Sequence, residues 1–199
     1  MPSGRPRHRR LVIVTTNPGK VREFRAALRG LPVDLHTVRR PYHEIQADTL
    51  EEVASFGVQE LAGDLRGDFF VEDSGLFIDS VRGFPGVYSA YVMKTVGVEG
   101  TLRLLRGSDD RRATFASVIG LSFAGETRLF RGECHGTIAR AARGHGGFGF
   151  DPIFVARGAK RTFAEMPVEE KLRYSHRGKA AALLHTFLER RLAGARLRR

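Results

Sequence analysis

Residues 11–20 read LVIVTTNPGK, a run in which an apolar segment passes directly into a helix start. Leu11 to Thr15 are apolar and β-branched, which predicts a buried strand. Asn17 is a favoured N-cap residue and Pro18 suits the first helical position, so a helix should begin here. The chain therefore starts with a strand that is followed at once by a helix.

Strands and helices alternate along the rest of the chain. The sequence predicts strands at 33–38, 69–71, 113–123 and 127–135. It predicts one helix that begins near Thr49 and three more at 98–105, 167–173 and 177–192. Thr49 and Glu52 form a capping box. The two longest strands surround a turn at 124–126 and should form a hairpin. Interleaved elements with such a hairpin predict an α/β protein with a mixed sheet.

The charge is unevenly distributed. Lys and Arg number 33 and acidic residues 22, a formal net charge of +11 that would suit a nucleic-acid-binding protein. Residues 1–10 and 187–199 each carry a net +4, however, whereas residues 11–186 carry only +3. We therefore expect one domain over 11–190 between basic tails at 1–10 and 191–199.

Composition excludes other classes. The chain is 42% hydrophobic, enough for a core, yet no apolar run reaches the roughly 18–20 residues of a membrane span. No apolar signal-peptide segment stands near the N-terminus. The single cysteine, Cys134, can form no internal disulfide. A cytoplasmic protein is expected.

Polar residues at 15–20 open the first predicted helix. They are Thr15, Thr16, Asn17, Pro18, Gly19 and Lys20. A helix N-terminus offers N–H groups and a positive dipole end to anions, so this segment could bind phosphate. The simpler interpretation is an ordinary capped helix with a surface lysine.

Acidic residues follow the strand predicted at 69–71. Glu72 and Asp73, followed by Ser74, would lie at the strand's end, where carboxylates can hold Mg²⁺. Glu44 could add another acid to the same site. The simpler interpretation is a solvated turn.

A glycine-rich loop at 146–152 reads GGFGFDP. Its rings, Phe148 and Phe150, could stack on a planar base, and Asp151 could accept a hydrogen bond from a ring N–H. The simpler interpretation is a connector whose phenylalanines enter the core.

Basic residues precede and open the last helix. Ser175 can cap this helix, and His176 and Arg177 are donors that could read a carbonyl on a base edge. Lys171 could meet a phosphate. The simpler interpretation is a basic surface helix start.

Together, six segments of the chain resemble the inosine triphosphatase family, the non-canonical purine nucleoside triphosphate pyrophosphatases (XTP/dITP diphosphohydrolases), and in style its archaeal branch. The segments are TTNPGK at 15–20, EIQADTLEEV at 44–53, VEDSGLFIDSVRGFPGVYSAYV at 71–92, DRRATFASVIG at 110–120, GFGFDPIF at 147–154 and TFAEMPVEEKLRYSHRGKA at 162–180. This resemblance implies an elongated mixed sheet flanked by helices, with two lobes and an active-site cleft between them.

The resemblance also implies function. It predicts a cytoplasmic, homodimeric, Mg²⁺-dependent enzyme that hydrolyses ITP, dITP and XTP to a nucleoside monophosphate and pyrophosphate. Asp73 would be the catalytic carboxylate, and Glu44 and Asp73 would hold Mg²⁺. The implied substrate contacts are Thr15, Thr16, Asn17, Pro18, Gly19, Lys20, Ser74, Phe148, Gly149, Phe150, Asp151, Lys171, His176 and Arg177.

Two other functions remain open. A nucleic-acid-binding module using the basic ends would bind with a steep salt dependence and turn over no nucleotide. A related nucleotide pyrophosphatase could prefer other bases, such as modified pyrimidines, although residues 175–177 argue against it.

Overall fold

A computed structural model describes residues 8–41, 43 and 45–196 of the chain. Glu44, one of the two predicted metal ligands, lies outside the described residues, as do residues 1–7 and 197–199 of the two predicted basic tails. Arg9 and Arg10, which the sequence predicted to belong to the first tail, are the first residues of a strand, and the last helix continues to Arg196.

The described residues form seven strands and six α-helices. The strands are β1 (Arg9–Val14), β2 (Val33–Val38), β3 (Phe69–Ile78), β4 (Pro85–Gly86), β5 (Arg112–Phe123), β6 (Glu126–Ile138) and β7 (Phe154–Ala156). The helices are α1 (Pro18–Ala27), α2 (Leu50–Ala62), α3 (Ser89–Thr95), α4 (Gly97–Leu104), α5 (Val168–Tyr174) and α6 (His176–Arg196). None of these helices combines the length and apolarity required to cross a membrane.

All seven strands belong to one mixed sheet, which confirms the predicted α/β class. Its order is β2-β1-β3-β5-β6-β7, and β4 also pairs with β3. β1 runs parallel to β2 and β3, whereas the other pairs are antiparallel, including the predicted β5–β6 hairpin. Both predicted helix starts are confirmed: Asn17 caps α1, and Thr49 with Glu52 forms the capping box of α2.

β3 corrects one prediction. Glu72 and Asp73 do not lie in a turn at a strand end, because β3 is continuous and pairs with β5 at every residue from Phe69 to Ile78. Pairing with a distant strand satisfies the backbone here, so the polar run has no need to turn. Gly75 is a point of close approach, since a Cβ on it would lie 2.4 Å from the carbonyl oxygen of Gly86.

In the described part of the chain, the other edge of β3 is paired only near its two ends, which leaves a gap in the sheet, here called the cleft. β1 pairs with Phe69 and Phe70, and β4 pairs with Leu76 and Phe77. Among the strands of the described chain, residues 71–75 therefore have a neighbour only on the β5 side. The polar centre of β3 lies where the sheet divides.

Helices cover both faces of the sheet, and the alternation of β3 assigns its side chains to them. Phe70 packs in a cluster with Phe24 of α1 and Leu184 of α6. Phe69 and Val71 instead share a cluster with residues of α2. Since side chains alternate along a strand, Glu72 follows Phe70 towards α1 and α6, while Asp73 follows Val71.

Gly132 of β6 tests the contact between α6 and the sheet. A Cβ on Gly132 would lie 2.2 Å from the carbonyl oxygen of His176 and 2.4 Å from the backbone nitrogen of Ala180. We expect Gly132→Ala to displace α6 and lower the free energy of unfolding by about 1–3 kcal/mol, seen as a lower thermal midpoint. Gly63→Ala is the control, because the nearest atom to its Cβ is 3.9 Å away. Equal midpoints for the two variants would contradict this packing.

Candidate active site

A cavity of about 750 Å³ occupies the cleft, a volume within the usual range for small-molecule sites. Its walls combine segments that are far apart in the sequence. The predicted site residues that line it are Thr15, Thr16, Asn17, Lys20, Asp73, Ser74, Phe148, Gly149, Phe150, Asp151, His176 and Arg177. Pro18, Gly19 and Lys171 do not line it.

The N-terminus of α1 forms one wall. The side-chain oxygen of Asn17 accepts hydrogen bonds from the N–H groups of Gly19 at 2.8 Å and Lys20 at 3.3 Å. The hydroxyl of Thr15 accepts one from the N–H of Asn17 at 3.1 Å. Asn17 thus already caps two N–H groups that the sequence offered to a phosphate. A phosphate at this wall would therefore meet its polar side chains more readily than those two N–H groups.

A chain of alternating charges runs beside the cavity. Its members, in order of contact, are Lys20, Glu72, Arg177, Glu23, Lys171 and Asp151. The successive nitrogen-to-oxygen distances are 2.9, 3.1, 2.7, 2.6 and 2.6 Å. All but Lys20 are at most 3% exposed. We call this set the charge chain; it contains three basic and three acidic side chains.

Neutral groups complete the coordination of the charge chain. Ser117 of β5 donates a hydrogen bond to Glu72 at 2.5 Å, and Arg177 donates one to the hydroxyl of Ser74 at 2.9 Å. The ammonium of Lys20 also donates to the backbone carbonyl of Glu72 at 2.7 Å. Buried ion pairs are costly unless their remaining polar groups are satisfied, so these contacts make the arrangement tolerable.

The charge chain sets the protonation of its carboxylates. Burial alone would raise the pKa values of Glu72 and Glu23, but neighbouring cations, with Arg177 foremost, lower both below the ordinary 4.5. At Asp151 the balance differs: burial raises its pKa, and the charge of Lys171 offsets only part of this effect. Glu72 and Glu23 are therefore ionised at neutral pH.

His176 presents an unsatisfied polar atom. Its ring stacks on Phe115 of β5 with 4.5 Å between centroids and 14° between planes. Its Nδ1 is buried and has no hydrogen-bond partner among the described residues. Burial, together with the charge of Arg177, lowers the pKa of His176 well below 6.5, so the imidazole is neutral. A neutral ring can donate or accept according to its tautomer.

The start of α6 places His176 and Arg177 at the cavity. Ser175 accepts a hydrogen bond from the N–H of Gly178 at 3.0 Å, which is the predicted cap. The helix therefore begins at His176, and its first turn carries both side chains into the cleft.

Two predicted ligands lie deeper than the sequence suggested. Lys171 is 2% exposed and bonded to Glu23 and Asp151. Phe150 is 3% exposed and belongs to a core cluster with Phe154, although part of it reaches the cavity wall. Their contacts with phosphate and base stay predictions.

Sequence reasoning missed Glu23, Phe115 and Ser117. Glu23 stands beside Phe24 on α1, and its neighbours in the sequence predict only an exposed acidic side chain. Its partners Lys171 and Arg177 are 148 and 154 residues away along the chain, so no local pattern reveals them. Arg40 and Lys94, which add cations to the cavity lining, were also missed.

Glu23→Gln tests the charge chain. It removes one of three negative charges and leaves Lys171 and Arg177 undercompensated, which should cost about 3–5 kcal/mol of stability. Carboxylates with lowered pKa values stabilise the fold above their unfolded value of 4.5, and this contribution is lost as pH falls through their folded values. The variant should therefore lose less stability on acidification than the wild type.

Thermal midpoints measured from neutral pH to about pH 3 check both effects. The matched control is Glu169→Gln, whose side chain is 64% exposed. If Glu23→Gln and Glu169→Gln unfold alike, the charge chain does not contribute to stability.

Known proteins match nearly the whole chain. Residues 11–187 match the Ham1 family. A protein named dITP/XTP pyrophosphatase from Thermococcus kodakarensis is 52% identical to this chain, over 92% of this chain and 99% of the relative. A protein of the same name from Pyrococcus horikoshii is 47% identical, over 90% of this chain and 97% of the relative. The structure of a HAM1 protein from Coxiella burnetii superposes with a TM-score of 0.80 at 30% identity, covering 92% of this chain and 99% of that one. The family match and these relatives show that this chain belongs to the Ham1 family.

Proposed function

We propose that this protein hydrolyses dITP, XTP and ITP to the nucleoside monophosphate and pyrophosphate, with Mg²⁺, and so removes non-canonical purines from the nucleotide pool. The cleft supports this function because it joins two kinds of wall. Hydroxyls, an ammonium group and Asp73 suit a triphosphate, while aromatic rings and two hydrogen-bonding groups suit a base. The names of the relatives support dITP and XTP as substrates.

The residues present are compatible with Mg²⁺. No group of three or more His, Cys, Asp or Glu side chains in the described part of the chain could hold a metal ion. Magnesium bound with a nucleotide needs only one or two protein carboxylates, because phosphate oxygens and water supply the other ligands. Asp73 fits this requirement in the cavity lining, and Glu44 is the second predicted ligand.

The start of α1 (residues 15–20) and Asp73 form what we call the phosphate wall, and two of its residues have a chemical task. Bound Mg²⁺ would neutralise charge on the phosphate oxygens. The Asp73 carboxylate orients the attacking water and takes its proton. The Lys20 ammonium stabilises charge that develops on the phosphate oxygens, and its contacts with Glu72 hold it in place beforehand.

Selection of the base follows from the donors beside the rings. Hypoxanthine and xanthine present a 6-carbonyl acceptor, whereas adenine presents a 6-amino donor. Neutral His176 can change tautomer and match either one, but Arg177 carries donors only. Arg177 is held by Glu72 and Glu23 and cannot turn away. A buried donor left facing a donor costs about 1–3 kcal/mol, which disfavours ATP.

We also propose a cytoplasmic homodimer. Hydrolysis of nucleotides in the pool suits that compartment. Phe84, Tyr88 and Tyr91 are exposed at 40%, 46% and 67%, and exposed aromatic side chains on one short segment support a protein–protein contact.

A substrate panel tests the proposed activity. With Mg²⁺, the full chain should release pyrophosphate from dITP, XTP and ITP and little from ATP, and chelation of the metal should stop release. A preference for modified pyrimidine nucleotides would establish the other pyrophosphatase function. Salt-sensitive nucleic-acid binding without any pyrophosphate release would establish the binding module instead.

Asp73→Asn tests the catalytic carboxylate. The substitution preserves shape but removes the charge and the proton acceptor, so kcat for dITP should fall by about 10²–10⁴-fold while the thermal midpoint stays similar. Asp109→Asn is the control, since the Asp109 side chain is 98% exposed. A kcat equal to that of the control would remove Asp73 from the mechanism.

A further inference from the structure

Residues 147–151, here called the base loop, have a tightly specified backbone. Gly147 and Gly149 flank Phe148 with φ values of +70° and +61°, a region that glycine adopts readily. The N–H of Phe148 donates to Asp151 at 2.8 Å. A Cβ on Gly147 would lie 2.0 Å from the same carboxylate oxygen. The base loop therefore presents Phe148 in one direction.

The ring of Phe148 covers part of the charge chain. The ammonium nitrogen of Lys171 is 4.8 Å from the ring centroid, and the guanidinium carbon of Arg177 is 5.2 Å from it. Both distances fall within the range of cation–π attraction. The ring also lines the cavity, on the side proposed to bind the base. We call this side the base wall, and the position of Phe148 sets its shape.

The same ring touches α1 at Gly19. A Cβ on Gly19 would lie 2.4 Å from Cδ1 and 2.7 Å from Cε1 of Phe148. Gly19 lies in the first helical turn and has no positive φ, so its backbone does not require glycine. Alanine would in fact favour the helix. The ring of Phe148 accounts for the missing side chain.

We propose that Gly19 is a positioning residue for purine recognition. Its lack of a side chain lets Phe148 lie against the first turn of α1, so the phosphate wall and the base wall share one contact. The role assigned to Gly19 rests on the proposed function, because it aligns two ends of the same nucleotide. Any Cβ at this position must displace the ring, since Asn17 holds the helix backbone in place.

Gly19→Ala measures this role. We expect kcat/KM for dITP and XTP to fall by about 10²-fold, mainly through KM, because the base wall moves. The thermal midpoint should fall less than in Gly132→Ala, since the Cβ meets a side-chain ring and not a backbone atom, and alanine suits the helix. Gly63→Ala, at the end of α2 where the nearest atom to the new Cβ is 3.9 Å away, is the matched control and should keep wild-type kinetics.

Inorganic tripolyphosphate separates the two ends of the cleft. The added Cβ would also approach the side-chain oxygen of Asn17 to 3.0 Å, which could disturb the cap itself. Competitive inhibition by tripolyphosphate reads the phosphate wall alone and should be unchanged in Gly19→Ala. An equal loss of tripolyphosphate and dITP binding would overturn the proposal.

A double-mutant cycle with Phe148→Ala isolates the contact. Without the ring, the two approaches of the new Cβ below 3 Å are gone, so adding Gly19→Ala should change kcat/KM by less than about 2-fold. The same large loss in both backgrounds would overturn the role of Phe148.

Failure of the proposed function has a different signature. In that case the wild-type chain would release no pyrophosphate from dITP or XTP. An active wild type with an equally active Gly19→Ala variant would overturn the role of Gly19 alone.

Discussion

The charge chain from Lys20 to Asp151 is the interaction on which the cleft depends. Two of its three buried carboxylates each join two further elements, since Glu72 of β3 meets α1 and α6, and Glu23 of α1 meets α5 and α6. The third, Asp151 of the base loop, meets Lys171 of α5. A buried ion without its partner is strongly unfavourable, so none of these elements can shift independently. The phosphate wall, the base loop and the start of α6 are thereby held in one geometry.

The balance of basic and acidic side chains in the charge chain affects how strongly the cleft attracts a triphosphate. Three basic and three acidic side chains balance in number, so Arg177, Lys171 and Lys20 provide fixed donors without a large excess of charge. Arg40 and Lys94 add positive charge in the cavity lining. The formal +11 of the whole chain is a poor guide to this site, because local placement of a few groups determines what the cleft can bind.

Local signals predicted local structure well. Two helix starts were predicted correctly, from Asn17 and from Thr49 with Glu52, because a cap and its helix are neighbours in the chain. The centre of β3 was mispredicted for the opposite reason: its partner strand β5 lies far along the sequence, and pairing overrides the polarity of residues 72–74. The short helix α3 has no side-chain cap and gave no comparable signal.

The sequence by itself determined the fold class, the main strands and the segments that supply the cavity, because periodicity, caps and spacing are properties of contiguous residues. Only the tertiary structure decided which charges meet. It buried Lys171 beneath Phe148, paired Arg177 with two acids and brought Glu23 into the site. The contacts of Glu23 join residues 148 and 154 positions apart, which no local pattern encodes, and the burial of these charges makes the contacts obligatory.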